Sequence, residues 1–215
     1  MASKAHWEQV YAGKAVNQVS WFQAHPEYSL RLIHATGLDR DAAIIDVGGG
    51  ASTLVDDLLA DGYRDLTVLD LSGTALASAR ARLGEPAAAV HWIEADITQI
   101  ELPDRRYDLW HDRAVFHFLT EAREREVYVR TVLRAVKPGG HVIVASFAED
   151  GPERCSGLPI VRYRPDSLHA EFGDAFTLLR HETEAHQTPA GKVQQFVYCY
   201  CRKTAAPMTP PPFRD

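Results

Sequence analysis

Cysteine is nearly absent: Cys155, Cys199 and Cys201 are the whole complement of 215 residues. An odd, sparse set of thiols is not a disulfide framework, so a reducing compartment is expected. No apolar run approaches the roughly 18 residues of a membrane span. The stretch from Met1 to Glu8 lacks the apolar core of a secretory signal. A soluble cytoplasmic protein without a membrane partner is the expectation. Positive charge is not in excess either. Lys+Arg number 23 against 29 Asp+Glu, a net charge of −6 with both signs interspersed, and no basic stripe awaits a phosphate backbone. Nucleic acid is therefore not an expected partner. The ten histidines include no His-Glu-x-x-His, and Cys199 with Cys201 alone do not complete a tetrahedral site, so no metal is expected.

What is present is ordinary globular material, 46% hydrophobic and 24% charged, of a length suited to one domain. Residues 1–203 read as that domain, with a helical, aromatic-rich prefix over 1–39 and a core over 40–203. Residues 204–215, with Pro207 and Pro210 to Pro212, read as a disordered tail. From about 43 to 147, short apolar runs alternate with stretches of helical period. That alternation predicts an α/β, doubly wound sheet of parallel strands. Strands are expected at Ala43–Val47, Leu66–Leu71, Val90–Glu94, Tyr107–Asp112 and His141–Phe147. Two more, Phe176–Leu179 and Val193–Cys201, would form a closing hairpin around the turn Thr188-Pro189-Ala190-Gly191.

The turn after the first strand is Asp46-Val47-Gly48-Gly49-Gly50-Ala51-Ser52. In an open parallel sheet, ligands sit beyond the carboxyl ends of the strands, where strand order reverses. Glycines there allow a sharp reversal and let backbone N–H groups approach a ligand, although a tight strand–helix turn needs glycine in any case. The second strand ends in Asp70, 20 residues past Gly50, the place of an acid that accepts hydrogen bonds from a ribose diol. The alternative, that Asp70 merely caps the next helix, competes with Ser72 for the same task. Nicotinamide-binding turns space their glycines G-x-G-x-x-G, a pattern this turn lacks, and a pyrophosphate would be repelled by Asp46. A ligand bearing an ammonium and a sulfonium would not be.

Ile45-Asp46-Val47-Gly48-Gly49-Gly50, Val68-Leu69-Asp70-Leu71-Ser72, Ala95-Asp96 and Lys137-Pro138-Gly139-Gly140 together resemble the successive motifs of class I S-adenosylmethionine-dependent methyltransferases. The resemblance implies a seven-stranded, mostly parallel sheet with its last strand antiparallel, and S-adenosyl-L-methionine as cofactor. It places Gly48, Gly49 and Gly50 near the methionine part, Asp70 on the ribose, Leu71 on the adenine, and Asp96 with Ile97 at the adenine edge. Ser52 stands where the family often has a further glycine. A narrower likeness, through His6 to Tyr11, Ser20 to Phe22 and Asp112 to Phe118, is to small methyltransferases of the elongation-factor lysine type and of the thiopurine and tellurite types. The lysine enzymes carry a second acid where His117 stands.

Methyl transfer from a sulfonium requires positioning and exclusion of water more than acid–base machinery. His111, at the end of the fourth strand, is the candidate base; the alternative is a backbone contact to the cofactor's ammonium. Asp112 either orients a base or pairs with Arg113. His117 either lines the acceptor site or packs inside. Trp21, with Trp7 and Tyr11, is a candidate cover for the cofactor, with cation–π attraction for a sulfonium. The expected activity is methyl transfer to a small-molecule acceptor, a thiol or metalloid first and a protein lysine second. A cofactor-binding domain without turnover and a nicotinamide oxidoreductase are the competing readings.

Overall fold

The computed structural model describes residues 3–205. The expected tail therefore falls almost wholly outside the described residues. Five parallel strands follow in order: β1 (Ala43–Val47), β2 (Asp65–Asp70), β3 (Val90–Glu94), β4 (Tyr107–Arg113) and β5 (Val136–Phe147). A long hairpin, β6 (Phe176–Gln187) and β7 (Val193–Lys203), completes one seven-stranded sheet in the spatial order β3-β2-β1-β4-β5-β7-β6. β7 runs antiparallel between β5 and β6. The chain belongs to the doubly wound α/β class, and the strand expected to end at Leu179 continues to Gln187. Its exposed, charged outer residues hide a strand whose length is fixed by pairing with β7. Propensity is a weaker constraint than that ladder.

Strand alternation assigns the two faces. Val142 and Val144 of β5 meet α5 (Ala122–Ala135) and α6 (Pro165–Phe172), whereas Ile143 and Ala145 meet α2 (Glu27–Ala35) and α3 (Leu54–Ala60). Helix α5 buries Tyr128, Val132 and Ala135, one stripe at helical spacing. It ends where Lys137-Pro138 begins. Helix α4 (Gly73–Leu83) starts with Ser72, whose Oγ accepts from Ala75 N at 3.1 Å, so the capping role does belong to Ser72. Ahead of the sheet, α1 (Lys4–Gly13) and the turn at Val16–Gln18 lead into α2. Among the described residues no helix is long and apolar enough to cross a membrane.

Candidate active site

Strand order reverses between β1 and β4, so their carboxyl ends diverge and leave a crevice. Two adjoining cavities occupy it. Gly48, Trp21, Tyr11 and Arg113 border both. Gly48 has φ +70°, and a Cβ there would overlap the Val115 side chain. A Cβ on Gly50 would overlap the Asp70 carboxylate. These glycines are therefore required both by backbone conformation and by closeness to the side chains around them.

The first cavity holds Asp70 and Leu71 at the end of β2, with Ala95 and Ile97 beyond β3 and an aromatic wall of Trp7, Tyr11, Trp21 and Phe118. Asp70 is buried, and its Oδ1 accepts from Ser72 N at 2.8 Å. Burial raises its pKa to about 7 against that hydrogen bond, with the Asp46 and Glu8 charges adding to the rise. Such a carboxylate is short of donors and faces a cavity. A ribose diol supplies two.

The second cavity is lined by Asp46, Gly49, Ser52 and His111. Here the polar groups already satisfy one another. Asp46 and His111 are register partners on neighbouring strands; His111 Nδ1 lies 2.7 Å from Asp46 Oδ1 and Nε2 lies 2.8 Å from Ser29 Oγ on α2. Both ring nitrogens are thus committed. Arg113, two residues on and on the same face, donates to the Tyr198 hydroxyl at 3.0 Å and to Glu184 at 3.2 Å, and it also reaches the Trp21 carbonyl at 3.3 Å. Gln23 and the Tyr198 hydroxyl donate to the two oxygens of Glu184 at 2.6 and 2.8 Å. Ser29, Gln23, Glu184 and Tyr198 come from α2, the segment before it and the closing hairpin. No motif in the sequence marks them, because their pairing exists only after the hairpin folds against α2.

Three expected site residues lie elsewhere. Asp112 does not pair with Arg113 and does not border either cavity. It neighbours His111 on a strand and so points to the opposite face, where it accepts from Val115 N at 2.9 Å and from the Tyr128 hydroxyl at 2.5 Å. Burial lifts its pKa to about 7, with the Tyr128 hydrogen bond opposing. His117 is enclosed with its ring 4.4 Å from that of Phe118 and 4.8 Å from that of Phe147. Burial, aided by the Arg113 charge, lowers its pKa to about 3. It is a packed, neutral histidine. Asp96 spends its carboxylate on its own turn, accepting from Thr98 N at 2.8 Å and from Gln99 at 2.9 Å, while its neighbour Ile97 enters the wall.

The prefix is fastened over the crevice at several points. Glu8 of α1 accepts from Gly73 N at 2.7 Å at the start of α4, and the Thr74 hydroxyl donates to it as well. Lys4 pairs with Glu94, His186 Nε2 lies 2.8 Å from the Ser20 carbonyl, and the Thr53 hydroxyl donates to the Gln23 carbonyl at 2.8 Å. Trp7, Tyr11 and Trp21 are held against the cavity by these fastenings, with Trp7 and Trp21 edge to face at 5.9 Å.

Residues 44–140 match a family model described as a methyltransferase domain. The eEF1A lysine and N-terminal methyltransferase of Mus musculus is 25% identical over 142 residues, covering 66% of this chain and 20% of that protein. The chain spans about half or less of the length of the curated relatives it matches. Among solved structures, one titled for the conversion of a disulfide bond into a thioacetal group during echinomycin biosynthesis shares 21% identity at TM-score 0.75, covering 94% of this chain and 92% of that one. The N-methyltransferase NodS from Bradyrhizobium japonicum, in complex with S-adenosyl-l-homocysteine, shares 16% identity at TM-score 0.67 and covers 91% and 97%. With the glycine cradle, Asp70 facing the cavity and the strand order, residues 44–140 form a methyltransferase domain whose crevice fits S-adenosylmethionine.

Proposed function

We propose that this chain transfers a methyl group to a soft nucleophile on a small molecule, a thiol in the first instance. When bound, S-adenosylmethionine supplies a methyl on a sulfonium, which an acceptor thiolate takes by in-line displacement, the bonding pair staying with the cofactor's sulfur. Asp70 accepts from the ribose hydroxyls, with Leu71 and Ile97 against the adenine. Gly48 to Gly50 and Ser52 bring backbone close to the methionine part, and Asp46 faces its ammonium. Trp21, with Trp7 and Tyr11, covers the cofactor and keeps water out. His111 is a positioning residue that holds the Asp46 carboxylate from behind.

One observation carries the choice of acceptor: among the described residues no titratable group on the cavity walls is poised to take a proton. His111 is tied at both nitrogens, Asp46 and Asp70 are committed to the cofactor, burial holds the Tyr11 hydroxyl protonated by raising its pKa, and burial pushes the Cys155 thiol up to about 12. A thiol with an ordinary pKa of roughly 8.5 is already a few per cent thiolate at neutral pH, whereas a lysine near 10.4 needs a base to release its ammonium proton. The protein-amine reading draws support from the named activity of the mouse relative, and the lack of a base weighs against it. Incubation with methyl-labelled S-adenosylmethionine, 4-mercaptobenzoate and, separately, lysine peptides tests the choice. Label on the thiol is expected; label on peptide lysine alone would overturn it.

A further inference from the structure

The chain has five lysines, and three are engaged. Lys4 pairs with Glu94, Lys137 with Asp108 at 2.7 Å, and Lys203 donates to the Leu133 and Val136 carbonyls at 2.6 and 2.9 Å. Lys14 and Lys192 make no side-chain hydrogen bond or ion pair among the described residues. They nevertheless line the same groove, Lys14 from the end of α1 and Lys192 from the β6–β7 turn. Among the described residues no acidic side chain lines that groove, in a molecule whose net charge is −6. Gln194 borders it too, with an Oε1 that is buried and unpartnered. Trp21 lines this groove and both cofactor cavities, so the groove adjoins the crevice.

We propose that this groove admits the acceptor and that Lys14 and Lys192 hold an anionic group on it, so that the substrate is a small nucleophile bearing a carboxylate or similar anion. The inference rests on the crevice being a methyl-transfer site. Two cations without an acidic partner, contributed to one groove by separate elements, attract an anion before contact and hold it on arrival. Val19 and Trp21, which border both this groove and the Asp46 cavity, present apolar surface suited to the uncharged body that carries the nucleophile. The acceptor is thereby oriented with its anion at the mouth and its reactive atom inward.

The test is calorimetric titration of the S-adenosylhomocysteine complex with 4-(methylthio)benzoate and with its methyl ester, using wild type and the Lys14→Gln/Lys192→Gln double variant. S-adenosylhomocysteine affinity monitors folding of the variant. The acid is expected to bind wild type about ten-fold more tightly than the ester, with that advantage shrinking as salt rises and vanishing in the double variant. Equal affinity for acid and ester, an advantage that survives the double substitution, or no binding of either compound would overturn the proposal. Turnover of 4-mercaptobenzoate is read separately. If the acid binds through the lysines and the thiol is not methylated, the thiol acceptor is wrong and the anion site stands.

Discussion

The two cavities are built on opposite principles. At the Asp70 end a buried carboxylate faces open space with few donors of its own. At the Asp46 end the groups behind that carboxylate, His111, Ser29, Arg113, Glu184 and Tyr198, are matched with one another before any ligand arrives. An unsatisfied buried group costs free energy that a ligand can recover, while a satisfied network offers shape and fixed charge. Ligand-binding energy is therefore expected to concentrate at the first end and geometric precision at the second.

The sharpest way to break this division is at the residue both cavities share. Gly48→Ala must accommodate a Cβ at φ +70° against Val115, and a loss of cofactor affinity of about 100-fold or more is expected by calorimetry. Gly37→Ala, at the same φ but with nothing within 4 Å, is the control for backbone strain alone. Next comes Asp112→Ala, on the far face of β4, which leaves the Tyr128 O–H and the backbone N–H groups of Val115 and Phe116 without their acceptor. A stability loss of about 2–5 kcal/mol in denaturant unfolding is expected, with cofactor affinity nearly unchanged in the folded protein. Wild-type cofactor affinity combined with an unchanged unfolding midpoint would deny Asp112 its structural role.

His111→Ala separates positioning from proton transfer. Loss of a general base would cut kcat by about 100-fold or more at intact cofactor affinity. Loss of a support for Asp46 is expected instead to weaken cofactor binding about ten-fold and lower kcat by less, without removing a limb of the pH–rate profile. The smallest expected effect belongs to Glu8→Ala, which unfastens α1 from the start of α4. Stopped-flow fluorescence of the lid tryptophans should show cofactor exchange faster by about two- to five-fold. Unchanged exchange would mean that the other fastenings suffice.

The sequence already contained the glycine turn and the strand-end acids that line the two cavities, and little of the network behind Asp46, for a physical reason. Asp46 to Ser52 and Asp70 to Ser72 lie on single strand–turn–helix units, where local spacing dictates what the backbone does. Glu184 and Tyr198 reach the site through a hairpin more than 60 residues downstream of Arg113, a pairing that only tertiary folding decides. Strict alternation along β4 does separate His111 and Arg113 from Asp112, so that distinction was legible. The enclosure of His117 was not, because it depends on Phe147 and the loop that follows it. Asp96 shows a third case, in which a motif position keeps its place while its side chain serves the turn beneath the ligand site.

Asp70 also links the site to pH. Its carboxyl titrates near 7 in the folded chain against an ordinary 3.8, so the native state holds the proton more tightly than the unfolded state. Its contribution therefore favours the fold most at acid pH and is lost as pH rises from about 4 toward 7, with Asp112 acting in the same direction. Ribose hydroxyls favour the ionised form, so cofactor binding should tighten as pH rises through 7. The most direct measurement is calorimetric titration of S-adenosylmethionine into wild type and Asp70→Asn at about pH 6 and 8. A loss of roughly 10- to 100-fold in the variant, together with loss of the wild-type tightening with pH, is the predicted result. Binding by Asp70→Asn within about two-fold of wild type at both pH values would contradict it.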